Sequence, residues 1–191
     1  MKIVSIIIPH YNGKELLHNC INSIYQNISI ENFEIIVVDN GSKDESVKNI
    51  RQLFSDVIII SNKENVGYSG GCNIGAKNAE GKYLIFLNND TEHSKDWIEK
   101  LVSFLDSNPD TFAAQPKILN IKNKEYFDYA GGAGGFIDHF CFPYVKGRVF
   151  NTLEKDNGQY NKASKIFWSS GAAMIVRADM FNQLNGFDEV Y

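Results

Sequence analysis

Four apolar runs in this 191-residue chain end in residues that carry chemistry: Pro9-His10-Tyr11-Asn12-Gly13, Asp39-Asn40-Gly41-Ser42-Lys43-Asp44, Asn65-Val66-Gly67-Tyr68-Ser69-Gly70-Gly71 and Asn88-Asn89-Asp90-Thr91-Glu92. Two of these endings supply a strand-end carboxylate, Asp39 and Asp90. One carboxylate can accept the imide N–H of a pyrimidine base. A second can hold a divalent cation that neutralises a diphosphate through oxygen ligation. Each residue also has a plainer use. Asp-Asn-Gly-Ser is a strong Asx-turn sequence, and Asp90 suits the N-cap of a following helix. Tyr11 packs as readily as it stacks on a base, and glycines 67, 70 and 71 serve a tight turn as well as a backbone approach to phosphate.

The familiar phosphate motifs do not account for these residues. No G-x-G-x-x-G follows the first apolar run, and five residues rather than four separate Gly75 from Gly81-Lys82, with Tyr83 where a P-loop needs Ser or Thr. Histidines 10, 18, 93 and 139 lack H-x-H or H-x-x-x-H spacing, which argues against zinc. A formal charge of −4 with scattered Lys and Arg leaves no footprint for nucleic acid. The three cysteines, Cys20, Cys72 and Cys141, form no C-x-x-C pair and read as free thiols in a reducing, cytoplasmic setting. No apolar window approaches the 18 residues or so of a membrane span, which leaves peripheral association with a membrane surface open.

Something must hold the four endings together, and the alternation of short apolar runs with helical periods predicts an α/β domain. Its sheet is expected to be Rossmann-like and mostly parallel, with helices on both faces. Ile3 to Ile8, Phe33 to Val38, Val57 to Ile60 and Tyr83 to Leu87 lack polar alternation, as strands buried on both sides do. Helical stripes are Leu16, Leu17, Cys20, Ile21 and Ile24; Val47, Ile50, Leu53 and Phe54; and Trp97, Leu101, Phe104 and Leu105. A shorter helix is expected from Gly71 to Ala79. After Phe112 to Ile118 an irregular insertion is predicted, aromatic and glycine-rich at Tyr126 to Gly135 and polar at Asn151 to Lys165. A strand at Phe167 to Arg177 and a helix at Ala178 to Leu184 follow, the helix stopped by Asn185-Gly186. Residues 1–191 read as one domain without linkers or repeats. In such sheets the ligand lies outside the carboxyl ends of the strands, where the four polar endings fall.

Taken in order, these blocks resemble the family 2 glycosyltransferases, inverting enzymes of the GT-A fold. Ser5 to Asn12 is similar to the family's opening strand, Val37 to Ser46 to its second, and Phe86-Leu87-Asn88-Asn89-Asp90 to its D-x-D region. Asn65 to Gly75 and Gly171 to Arg177 resemble the rhamnosyltransferase-like subgroup. The resemblance implies a nucleotide site bordered by Pro9, Tyr11, Asp39, Gly67 and Asn73, with Asp39 on the base. It implies Mg2+ or Mn2+ and the diphosphate at Asp90. It further implies a dTDP- or UDP-linked sugar donor and a glycan or lipid-linked acceptor, in cell-surface polysaccharide synthesis at the inner face of a membrane. Two departures stand out. The D-x-D position holds Asn88-Asn89-Asp90. The family's usual base is a carboxylate shortly after Gly186-Phe187-Asp188-Glu189, which here places it beyond Tyr191, so a C-terminally truncated domain is expected, with Asp188 and Glu189 the nearest carboxylates. The alternatives are a non-catalytic nucleotide-sugar-binding module and a sugar-1-phosphate nucleotidyltransferase. The latter lacks its glycine-rich, arginine-bearing loop after the first strand.

Overall fold

The computed structural model describes residues 2–129 and 131–189. In chain order the elements of the first half are β1 (Val4–His10), α1 (Lys14–Asn27), β2 (Phe33–Asp39), α2 (Ser46–Leu53), β3 (Ile58–Ser61), α3 (Gly67–Lys77), β4 (Tyr83–Leu87) and α4 (Trp97–Ser107). The second half contains β5 (Ala113–Ala114), β6 (Gly135–Ile137), β7 (Pro143–Val145), β8 (Arg148–Val149), β9 (Thr152–Leu153), β10 (Ala173–Arg177) and α5 (Ala178–Gln183).

Six strands form one sheet in the order β3-β2-β1-β4-β10-β5. The first four are parallel, while β10 runs antiparallel to both β4 and β5. Strands β1 and β4 are apolar at nearly every position because both of their faces are covered. Ile6, Ile8, Ile85 and Leu87 pack with Leu17, Cys20, Ile21, Ile24, Ile98 and Leu105 of α1 and α4. On the opposite face Ile7, Val38, Leu84 and Phe86 pack with Cys72 and Ala76 of α3 and Phe181 of α5. Successive strand residues thus feed two separate cores, which is the period-two geometry of a strand applied to a doubly covered sheet.

Several expectations change. β3 lies at the sheet edge, so Ile58 is exposed rather than covered on both faces. Leu16 and Leu53, assigned to apolar stripes, also face solvent. The strand expected from Phe167 is regular only over Ala173–Arg177, and Phe112 to Ile118 contributes only the two residues of β5. The irregular insertion contains two small antiparallel ladders, β6 with β7 and β8 with β9, around a buried Phe127 that belongs to neither main core. The stop after α5 is as expected: Asn185 and Gly186 both take positive φ, at 62° and 82°.

The largest shift concerns α3, which begins at Gly67 rather than Gly71 and absorbs the glycines expected in a turn. Their use is close packing. A Cβ on Gly75 would sit 2.3 Å from Ile7 Cγ2, and one on Gly71 would sit 3.1 Å from Pro9 Cβ. Glycine inside a helix costs up to about 1 kcal/mol against alanine, so the close approach to β1 is what these positions gain. Gly75→Ala should therefore destabilise the fold by about 1–3 kcal/mol through overpacking. Thermal unfolding should show Tm lowered by about 2–4 °C per kcal/mol.

Candidate functional site

The chain runs outward from β1 to β2 and β3, then crosses back to place β4 on the other side of β1. That reversal opens a crevice at the carboxyl ends of β1, β2 and β4. Asp39 ends β2 and Asp90 lies three residues past β4, and those two strands flank β1 on either side. The two sequence-predicted carboxylates therefore lie at or just past the carboxyl ends of the strands on either side of β1.

His10, the last residue of β1, lies between them and is buried. Its Nδ1 lies 2.7 Å from Asn89 Nδ2, and its Nε2 lies 2.9 Å from Ser46 Oγ. The Asn89 amide can only donate from that nitrogen, so Nδ1 accepts and the proton sits on Nε2, which donates to Ser46. Ser46 Oγ in turn donates to Asp44 Oδ1. Asp44 Oδ2 takes the backbone N–H groups of Gly13 at 2.7 Å and Lys14 at 3.2 Å. One chain of hydrogen bonds thus runs from the turn after β4, through β1, to the loop after β2 and the start of α1. Burial lowers the His10 pKa, opposed by the negative charges of Asp44 and Asp39. Burial also raises the Asp44 carboxyl, but the bonds from Ser46, Gly13 and Lys14 outweigh it and the pKa falls below the usual range.

Asp39 is buried, and its Oδ1 accepts the Ser42 N–H at 2.9 Å, the Asx turn anticipated from its neighbours. Among the described residues no donor reaches Oδ2, so the turn and a ligand can share this carboxylate. Tyr11 is 47% exposed at the crevice edge, followed by Asn12 in the left-handed region at φ 55°. Asn12 is stitched to the second loop in both directions: its N–H donates to Ser42 Oγ at 2.9 Å, and its Oδ1 accepts the Lys43 N–H at 2.8 Å. Pro9 is buried beneath Gly71. Gly67 opens α3 at φ +74° with open space where a side chain would be. Its carbonyl accepts the amide of Asn40, a buried residue whose Oδ1 also accepts Asn62 Nδ2 at 3.0 Å.

Asp90 is exposed, and α4 starts seven residues later at Trp97 with Asp96 as its N-cap, so the helix-cap reading of Asp90 does not hold. Beneath its turn Cys20 Sγ donates to Asn88 O at 3.6 Å, and the His93 ring stacks on Trp97 at 5.0 Å. Burial pushes the Cys20 thiol up to about 11 and the His93 imidazole down to about 4, so both stay neutral. Among the described residues no group of three or more His, Cys, Asp or Glu could cage a metal. A single accessible carboxylate oxygen donor nevertheless fits Mg2+ or Mn2+, which bind through one or two carboxylates while keeping waters and substrate phosphates.

Asn73 is given a different task from the expected one. Its Nδ2 donates to Phe187 O at 2.8 Å and Glu189 Oε1 at 2.7 Å, while its Oδ1 accepts the Phe187 N–H at 2.8 Å. Both amide hydrogens are spent on the segment that carries Asp188 and Glu189. Phe187 inserts between Phe86 and Phe181, with ring centroids 4.9 and 5.1 Å away, and pins the same segment. Asp188 and Glu189 are exposed, and Glu189 Oε2 approaches Gly70 in the first turns of α3. Tyr191, beyond which the family's usual base is expected, lies outside the described residues, so the structure places Asp188 and Glu189 but not that base. His10, Asn40 and Asn89 lie within the strand endings singled out in the sequence, which gave them no individual role. A polar residue directly after a doubly buried strand was the available signal, because such a group needs partners.

The profile described as Glycosyl transferase family 2 matches residues 5–184. A Haemophilus influenzae protein described as an uncharacterized glycosyltransferase is 37% identical over 122 residues, covering 62% of this chain and 37% of its own length. The first curated relatives that this chain matches are each covered over less than half of their length, from 18% to 43%. Among solved structures, GalNAc-T7 with UDP, GalNAc and Mn2+ is similar with a TM-score of 0.76 at 20% identity, covering 99% of this chain and 38% of that one. The mannosyltransferase PcManGT from Pyrobaculum calidifontis, with GDP-Man and Mn2+, gives 0.67 at 17% identity, covering 98% and 48%. These likenesses show the GT-A fold.

Both His10 and His93 are held neutral with pKa values below the ordinary 6.5. The unfolded chain therefore binds protons that the folded chain refuses, and stability falls as pH drops from about 6.5 toward 4. For His93 alone the full effect is about 3 kcal/mol. Chemical denaturation across that range should show this loss, and His93→Gln should remove the His93 part of it while the His10 part remains.

Proposed function

Because the chain belongs to glycosyl transferase family 2, we propose that it binds a pyrimidine nucleoside-diphosphate sugar in the crevice around β1 and takes part in transfer of the sugar, with inversion, to a glycan or lipid-linked acceptor. The observation that carries this reading is that Asp39 ends β2 and Asp90 follows β4 on either side of β1, with His10 bonding Asn89 of the Asp90 turn and, through Ser46, Asp44 of the loop after Asp39. Asp39 accepts the imide N–H of the base through the oxygen that Ser42 leaves over, while Tyr11 stacks beside it. Gly67 admits the nucleotide where any side chain would intrude. Asp90 would hold Mg2+ or Mn2+, which when bound supplies positive charge against the negative charge building on the departing diphosphate. Fixing both ends of the nucleotide orients the anomeric carbon toward an incoming hydroxyl. Within this chain the carboxylates nearest to the place of the family's base are Asp188 and Glu189, and Asn73 is the residue that positions them. The dTDP-linked donor of a rhamnosyltransferase is our preferred candidate, on the likeness of Asn65 to Gly75 and Gly171 to Arg177 to that subgroup. A second reading, donor binding without turnover, is favoured by the bond that ties Glu189 to Asn73.

Differential scanning against UDP, dTDP, GDP and ADP, each with and without Mn2+, tests this proposal. A pyrimidine diphosphate with metal, present at about a hundred times its Kd, should stabilise the fold by about 2.7 kcal/mol, or roughly 5–10 °C. Asp39→Asn and Asp90→Asn should each abolish the shift while leaving the unliganded Tm nearly unchanged. A purine-only response, or a shift indifferent to both substitutions, would refute the assignment.

A further inference from the structure

The insertion between β5 and β10 carries an aromatic surface that neither core uses. In the β6–β7 hairpin Phe140 is 76% exposed and Phe142 67%, with Tyr144 half exposed behind them. Large aromatics at a hairpin tip expose apolar surface that a water-facing turn does not need. Their presentation is built. Asp138 Oδ1 accepts the N–H groups of both Phe140 at 2.8 Å and Phe142 at 2.9 Å, and the Asp138 carbonyl accepts the Cys141 N–H at 3.1 Å. Those bonds hold Cys141 at φ 65° and fix a turn that turns the two phenyl rings outward. Phe150, on the next turn, is 89% exposed.

Charge distinguishes this surface from the rest of the molecule. Residues 115–172 contain eight Lys and Arg against five Asp and Glu, a net +3, while the remainder of the chain holds eleven against eighteen, a net −7. One acidic group lies at the tip, Asp138, whose Oδ1 holds the turn through two backbone donors. Lys146 sits over the Phe136 ring at 4.5 Å and Arg148 over the Tyr129 ring at 3.3 Å, so the cations lie among the aromatics. Aromatic rings projecting from a locally cationic surface on an otherwise anionic protein match the interface of an anionic bilayer, where rings enter the headgroup boundary and Lys and Arg meet phosphate.

The location agrees. Asn88 N–H donates to Ala172 O at 3.0 Å, and Gly135 and Trp168 form a bridge, so the insertion sits at the same end of the sheet as the Asn88–Asp90 turn. We propose that the β6–β7 hairpin docks the protein on an anionic lipid surface through Phe140 and Phe142. The crevice then opens near the headgroups, where a lipid-linked acceptor would present its sugar. The docking itself does not depend on the transferase reading.

Cosedimentation of the full chain with vesicles of phosphatidylcholine alone, and of phosphatidylcholine mixed with phosphatidylglycerol, tests the proposal. The bound fraction should rise with phosphatidylglycerol and fall with salt. Phe140→Ser combined with Phe142→Ser should weaken binding about tenfold or more without altering Tm, since both rings are exposed. Absence of binding, binding indifferent to lipid charge, or equal binding by the double variant would overturn it. So would a concentration-dependent dimer, lost in the double variant, in place of vesicle binding. The nucleotide response of the same variant reports separately on the crevice, so failure of either assignment is recognisable by itself.

Discussion

The two ring nitrogens of His10 tie together three parts of the chain that are distant in sequence. Nδ1 receives the amide of Asn89 after β4, and Nε2 donates toward Ser46 and Asp44 after β2. A buried imidazole offers one donor and one acceptor, and here each has a partner of matching polarity. The turn carrying Asp90 is consequently held in register with the loop carrying Asp39, although they lie on opposite sides of β1. Neutral imidazole is required, because a proton on Nδ1 would face an amide that already donates. Burial, which lowers the His10 pKa, maintains that state.

The same crevice depends on how closely α3 can lie on the sheet. Gly75 lets the helix meet Ile7, and Gly71 lets it meet Pro9, so its first turns reach the strand ends. From that position α3 presents Gly67 to the open side and Asn73 to the segment at Gly186–Glu189. Tyr68 adds a further tie, its hydroxyl donating to the Gly171 carbonyl just before β10. The helix therefore joins the strand ends of β1 and β2 to the segment that carries Asp188 and Glu189, with glycine deciding the separation.

Strands β1, β2 and β4 were legible because burial on both faces leaves an unbroken apolar run, a pattern that few other elements share. The strand-end carboxylates followed from topology alone. What was not legible has a common origin in tertiary contact. Glycine's low helix propensity argued for a turn at 67–71, and packing against Ile7 and Pro9 overrode it. Asn73 was placed at the nucleotide by the family resemblance, and nothing local announces its partner 114 residues away. Metal spacing is a local test, and it is silent about His10, whose role rests on two loops that are distant in sequence. The ladders of the insertion are two or three residues long, too short for any period to register.

The pairing of Asn73 with the Gly186–Glu189 segment also bears on how the chain assembles. During synthesis α3 is complete long before Phe187 emerges, so the Asn73 amide and the apolar space beside Phe86 and Phe181 wait without their final occupants. Until then water meets that amide, and the faces of the two phenyl rings stay uncovered. The α3–α5 face is therefore completed only when residues 186–189 dock, and the carboxylates of Asp188 and Glu189 come into place with it. Closure of the hydrophobic core there and placement of those carboxylates are then one event, timed by the arrival of Phe187.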